Sequence, residues 1–137
     1  MNKPYACLTI AVVAVLISLP SWIARRRALR RYWDRACMGI RWRGQFPDSS
    51  KSEIREFLTM FVDAFGFSHK RRMRFSPDDR VMDVYQAAHP PGSLGDCMDL
   101  ETLGLRLEKR YGIDVIALWR EDITLGELYE HTRTRPT

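Results

Sequence analysis

Tyr5 to Ala24 reads YACLTIAVVAVLISLPSWIA, twenty residues without a charge. A helix of that length spans about 30 Å, the thickness of a bilayer core. A helix also satisfies its backbone polar groups internally, as lipid demands. Pro20 lies one turn from the end of the run, where a kink costs little, and Trp22 stands where an interfacial aromatic belongs. Two other readings are open. A buried core helix would be unusually long and apolar for a small soluble domain. A cleaved signal peptide would have only Lys3 as its basic region and Trp22-Ile23-Ala24 before the cut, a poor small-x-small site. The run therefore points to a retained single-pass membrane anchor over residues 1–24. Arg25, Arg26, Arg27, Arg30 and Arg31 follow it. Positive charge stays inside, so the C-terminal part is expected in the cytoplasm.

The formal net charge of +5 conceals a division along the chain. From Arg25 to Arg43, eight Arg stand against one acid, Asp34. From Phe75 to His131, twelve acids outnumber five bases. The basic stretch, residues 25–46, interleaves its Arg with Tyr32, Trp33, Trp42 and Phe46 and reads as a juxtamembrane connector. Arg and aromatics suit anionic lipid headgroups, and they also suit nucleic acid. Immediately after a span, lipid is the nearest polyanion. The expected lipid contacts are thus Arg25, Arg26, Arg27, Arg30, Arg31 and Trp33, with a basic nucleic-acid-binding adaptor as a rival reading.

The three Cys (Cys7, Cys37, Cys97) and three His (His69, His89, His131) show neither a metal-ligand spacing nor a disulfide framework. No metal site is expected. An enzyme is not expected either, because the only His near Cys97 in sequence is His89, across a Pro- and Gly-rich stretch, and no nucleophile–base arrangement is evident.

The remainder reads as helical. Ser50 with Glu53 three residues later is a capping box. Ile54, Phe57, Leu58, Phe61, Val62 and Phe65 then fall on one helix face, and Gly66 ends it. His69 to Arg74 reads as a solvated basic loop. Ser76-Pro77-Asp78-Asp79 is a turn or cap before a short face of Val81, Val84 and Tyr85. Leu100, Leu103, Leu107 and Tyr111 mark another helix, capped by Asp96 or Asp99 and stopped by Gly112. Ile113 to Leu118 is apolar but has no evident partner strand, so it is expected as an extended or short helical connector. Asp122 or Thr124 opens a last helix with Leu125, Leu128 and Tyr129 inward.

From Phe75 to Thr132 this order of signals resembles the acyl carrier proteins. Leu107-Glu108-Lys109-Arg110-Tyr111-Gly112-Ile113-Asp114-Val115 is similar to the run that ends their second helix. Asp122-Ile123-Thr124-Leu125-Gly126-Glu127-Leu128-Tyr129 is similar to their fourth helix, and Ser50 to Phe65 would be the first. The resemblance implies an all-α fold: an N-terminal transmembrane helix followed by a small acyl-carrier-like helical bundle over 47–133. It also implies a protein partner docked on the acidic second helix, at Asp96, Asp99, Glu101 and Glu108. The departure is at the attachment point. Where the family has Asp-Ser-Leu, this chain has Asp96-Cys97-Met98. Phosphopantetheine is joined through a Ser oxygen, so Cys97 is expected to carry no cofactor, and Ser93 is the only nearby hydroxyl. The closest analogy is to small bacterial carrier-like proteins that lack the Ser. The expected function is a membrane-anchored, non-catalytic interaction module. The alternative is a functional phosphopantetheine-dependent carrier, modified at Ser93 or Cys97.

Overall fold

The computed structural model describes residues 3–91 and 98–134, and within them the chain is helical. Its elements are α1 (Lys3–Trp33), α2 (Gly39–Gln45), α3 (Lys51–Ala64), a 3-10 helix (His69–Arg74), α4 (Val81–Ala88), α5 (Met98–Tyr111), α6 (Val115–Leu118) and α7 (Leu125–Arg133). Extended pairing among the described residues is limited to one antiparallel bridge between Arg80 and Thr124.

The first part of α1 is apolar on all sides and exposed on all sides; Leu8, Ile10 and Ile17 are each about two-thirds exposed or more. This excludes the buried core helix, and α1 is long and apolar enough to cross a membrane. The helix does not stop where the hydrophobic run stops. It continues through Trp33, and from Ser21 onward one stripe turns inward at helical spacing, ending in buried Leu29 and Tyr32. Trp42 on α2 and Phe46 at its C-cap are also buried. The stretch that reads in sequence as a connector is therefore built into the core. Its apolar side chains occupy the inward positions, and most of its Arg occupy the remaining ones.

The core is aromatic. Tyr129 packs against Trp42, Phe46 and Phe57, with ring centroids 4.9–5.7 Å apart. Phe75 packs against Tyr32, Trp33, Phe61 and Phe67, at 5.1–5.9 Å. The indole N–H of Trp42 donates to the Phe75 carbonyl at 2.8 Å, so the buried ring leaves no polar atom unpaired.

The local signals act as expected. Ser50 and Glu53 form a capping box on α3, and Thr124 and Glu127 form one on α7. The Thr124 N–H, followed by Arg120, holds the Glu127 carboxyl below the usual carboxylate range. Gly66 and Gly112 end α3 and α5 with φ of 68° and 64°, the left-handed region that favours glycine. The basic segment His69–Arg74, expected as a solvated loop, instead forms the 3-10 helix, which packs on α3 and α1.

The turn before α4 is bonded to the start of α7. Val81 N–H donates to Ile123 C=O at 3.0 Å, Leu125 N–H to Asp79 C=O at 2.9 Å, and Gly126 N–H to Pro77 C=O at 2.8 Å. A Cβ on Gly126 would stand 2.9 Å from the Pro77 oxygen. Gly126→Ala is expected to destabilise the domain by about 1–3 kcal/mol, because that oxygen cannot retreat without losing its hydrogen bond. A thermal melt of the variant measures this. A chain truncated to begin at Pro47 loses buried Leu29, Tyr32, Trp42 and Phe46. At about 1.5–3 kcal/mol each, that rivals the whole stability of a small domain. It is expected not to fold, whereas a chain beginning at Arg25 retains cooperative unfolding by circular dichroism.

Candidate functional site

The chain reverses after α5 through Tyr111, Gly112 and Ile113. Ile113 is buried and fixes the turn, and Gly112 supplies the left-handed residue. Asp114 then caps α6, accepting from the N–H groups of Ile116 at 3.0 Å and Ala117 at 3.3 Å. The result lays four-residue α6 beside α5.

The inward face of α5 is spent on Leu103 and Leu107. Two of its cations point to α3: Arg110 binds Glu56 at 2.6 and 2.8 Å, and Arg106 approaches Asp63 at 3.8 Å. That leaves the side facing α6. There Leu100, Gly104, Leu105, Val115, Ile116 and Trp119 floor a groove of about 580 Å³. Leu105 is 60% exposed and Ile116 91%. Glu101, Glu108 and Asp114 line its rim, and neither Glu101 nor Glu108 is in an ion pair among the described residues. Large exposed apolar side chains ringed by unpaired carboxylates suit a partner that brings an apolar projection and positive charge.

The sequence-predicted residues divide. Glu101 and Glu108 both border the groove. Asp99 is instead half-buried and bound to His89 Nε2 at 2.6 Å, tying the C-cap of α4 to the first turn of α5. Asp96, Cys97 and Ser93 lie outside the described residues. Sequence reasoning missed Asp114 as a rim residue and Leu105, Ile116 and Trp119 as floor. The available signal was Leu105, which falls off the Leu100–Leu103–Leu107 face, and an apolar run at 113–118 longer than burial requires.

The expected lipid-contacting residues also divide. Arg30 pairs with Asp34 at 3.5 Å. Arg31 donates to the Tyr32 hydroxyl at 2.6 Å and lies over that ring. Trp33 is a packing residue, set edge-on to Phe67 and Phe75 at 5.1 and 5.5 Å. Arg26 lies over the Trp22 ring at 4.8 Å, Arg25 over Phe67 at 6.0 Å, and Arg27 is exposed.

Compared with protein-family models, with curated proteins and with solved structures, the chain matches none.

If the groove is a surface rather than a part of the core, charging it costs little. Leu105→Glu and Ile116→Glu are each expected to shift stability by no more than about 0.5 kcal/mol, the ordinary range for exposed positions. Leu107→Glu, two residues further along α5 on its inward face and fully buried, is expected to abolish folding. Parallel chemical denaturation of the three variants checks the contrast.

Proposed function

We propose that this chain is a membrane-anchored, non-catalytic interaction module. It carries a small acyl-carrier-like bundle on the cytoplasmic side of the membrane and docks a protein partner in the α5–α6 groove. The groove is the observation that carries the reading: an apolar floor within a rim of unpaired acids is a recognition surface. The order of elements is in keeping with a carrier-like bundle. In this reading long α3, long α5, short α6 and final α7 would stand for the four helices of that family, and the 3-10 helix and α4 for its long first loop.

Retention of the anchor is supported by the continuity of α1. The helix runs from the apolar span into the core without a break, and the residues just after the span hold Leu29 and Tyr32 in place. The Arg flank supports a cytoplasmic domain.

Four measurements test the reading. The full chain is expected to stay in the pellet on alkaline carbonate extraction; recovery in the supernatant would reject the anchor. In right-side-out vesicles the domain is expected to resist added protease, and cleavage without permeabilisation would reject the orientation. A photo-crosslinker placed at Leu105 is expected to trap a discrete protein adduct in native membranes, with none from Arg55 on α3. Equal labelling from both positions would reject the groove. Intact-mass measurement of the same preparation is expected to show no phosphopantetheine, and an adduct would establish the carrier alternative.

A further inference from the structure

Several cations in the body of the domain are matched by acids. Arg35 has Asp79, Arg41 has Asp78, Arg106 has Asp63, Arg110 has Glu56 and Arg120 has Glu127. At the end of the membrane-length segment the pattern changes. Arg25 and Arg26 on α1 and Arg71 on the 3-10 helix line one pocket of about 230 Å³ with no carboxylate among its lining residues. Like charges placed together repel, so such a cluster is costly unless an anion joins it.

The three guanidiniums are held by rings instead of acids. Arg71 lies 4.5 Å over Trp33, Arg26 4.8 Å over Trp22 and Arg25 6.0 Å over Phe67. A ring fixes an Arg through its face and leaves the in-plane N–H donors free for oxygen. Arg25 adds a second sign: its Nε is shut off from solvent and has no hydrogen-bond partner. A buried donor in that condition calls for an acceptor. Ser68 adds a hydroxyl to the lining. The volume holds several water-sized groups, hence a phosphate.

We infer that Arg25, Arg26 and Arg71 form a binding site for a phosphate group, supplied by an anionic phospholipid at the membrane surface. The inference rests on the membrane anchor proposed above, and it goes beyond general attraction to anionic lipid. It assigns a defined pocket and gives a role to Arg71, which lies in a segment that reads from sequence as a solvated loop.

The test uses the full chain in neutral detergent micelles, titrated with phosphatidylglycerol, phosphatidylcholine or inorganic phosphate, with bound ligand counted by native mass spectrometry. Wild type is expected to retain phosphatidylglycerol in preference to phosphatidylcholine. Arg71→Gln and Arg26→Gln are each expected to weaken phosphatidylglycerol binding by roughly tenfold, whereas Lys70→Gln, which removes the same charge from the same helix outside the pocket, leaves it unchanged. Equal loss in Lys70→Gln and Arg71→Gln would overturn the site in favour of diffuse attraction. So would equal retention of the two lipids by wild type. Binding of inorganic phosphate as tight as that of the lipid, and sensitive to Arg71→Gln, would overturn the lipid source. Failure of the anchor itself is read separately, as carbonate extraction of the wild-type chain.

Discussion

The carboxylate of Asp79 receives both terminal nitrogens of the Arg35 guanidinium, at 2.7 and 2.9 Å, and the backbone N–H of Ser76, at 2.7 Å. Asp79 is almost fully buried, and Arg35 lies over the Tyr32 ring at 4.9 Å. The bond to Asp79 also raises the pKa of Arg35 above its already high ordinary value, so the pair stays charged wherever Asp79 is ionised. Taking two charges out of water is costly, and a two-pronged geometry with a further donor is what offsets it. The pair fixes the segment after α1 to the turn before α4. The same turn is bonded through Pro77, Asp79 and Val81 to the entry of α7, and through the Phe75 carbonyl to Trp42 of α2. Four parts of the chain, drawn from three separate stretches of the sequence, are held at one place.

One consequence is mechanical. Because α1 runs unbroken from its exposed apolar part into packed Leu29 and Tyr32, the domain is not hung on a flexible tether. Arg35 follows two residues after α1 ends and is pinned at once. An apolar helix seated in lipid would therefore set the attitude of the whole domain, including the pocket beside Trp22 and the groove of α5 and α6. Gly/Ser-rich linkers that allow a domain to wander have no counterpart here.

What was legible in the sequence was what local chemistry decides. Ser50 with Glu53, the six-residue apolar face from Ile54 to Phe65, Gly66, Gly112 and Thr124 as cap are each set within one or two turns of helix, and the corresponding helices appear. The basic stretch was harder to read. Leu29, Tyr32, Trp42 and Phe46 lie among Arg residues most of which are exposed, so the composition signals surface while the apolar positions signal core. The Arg35–Asp79 pair joins residues 44 positions apart, and no periodicity reveals it. The same holds for Arg71 over Trp33 and for the groove, where α6 becomes a wall only after Gly112 reverses the chain. The attachment point of the carrier resemblance, Cys97, falls outside the described residues, so the part of the sequence reading that bears most on chemistry is decided by mass measurement rather than by geometry.

The groove and the pocket follow one physical rule with opposite sign. Many acids of the domain body have partners: Glu56, Asp63, Asp78, Asp79 and Glu127 each meet a cation. Among the charges left without an ion pair, two groups stand beside apolar or aromatic surface: acids at Glu101 and Glu108, and guanidiniums at Arg25, Arg26 and Arg71. Exposed ion pairs add little stability, so the domain gains little by satisfying those groups internally. Leaving them unpaired beside apolar or aromatic surface gives them more to gain from an outside partner, since the partner's apolar part excludes water and strengthens the charge contact. On this argument the two sites are separable. Neutralising Glu101 and Glu108 would weaken a basic protein partner and leave the phosphate pocket intact. Neutralising Arg71 would do the reverse, because no residue is common to both linings.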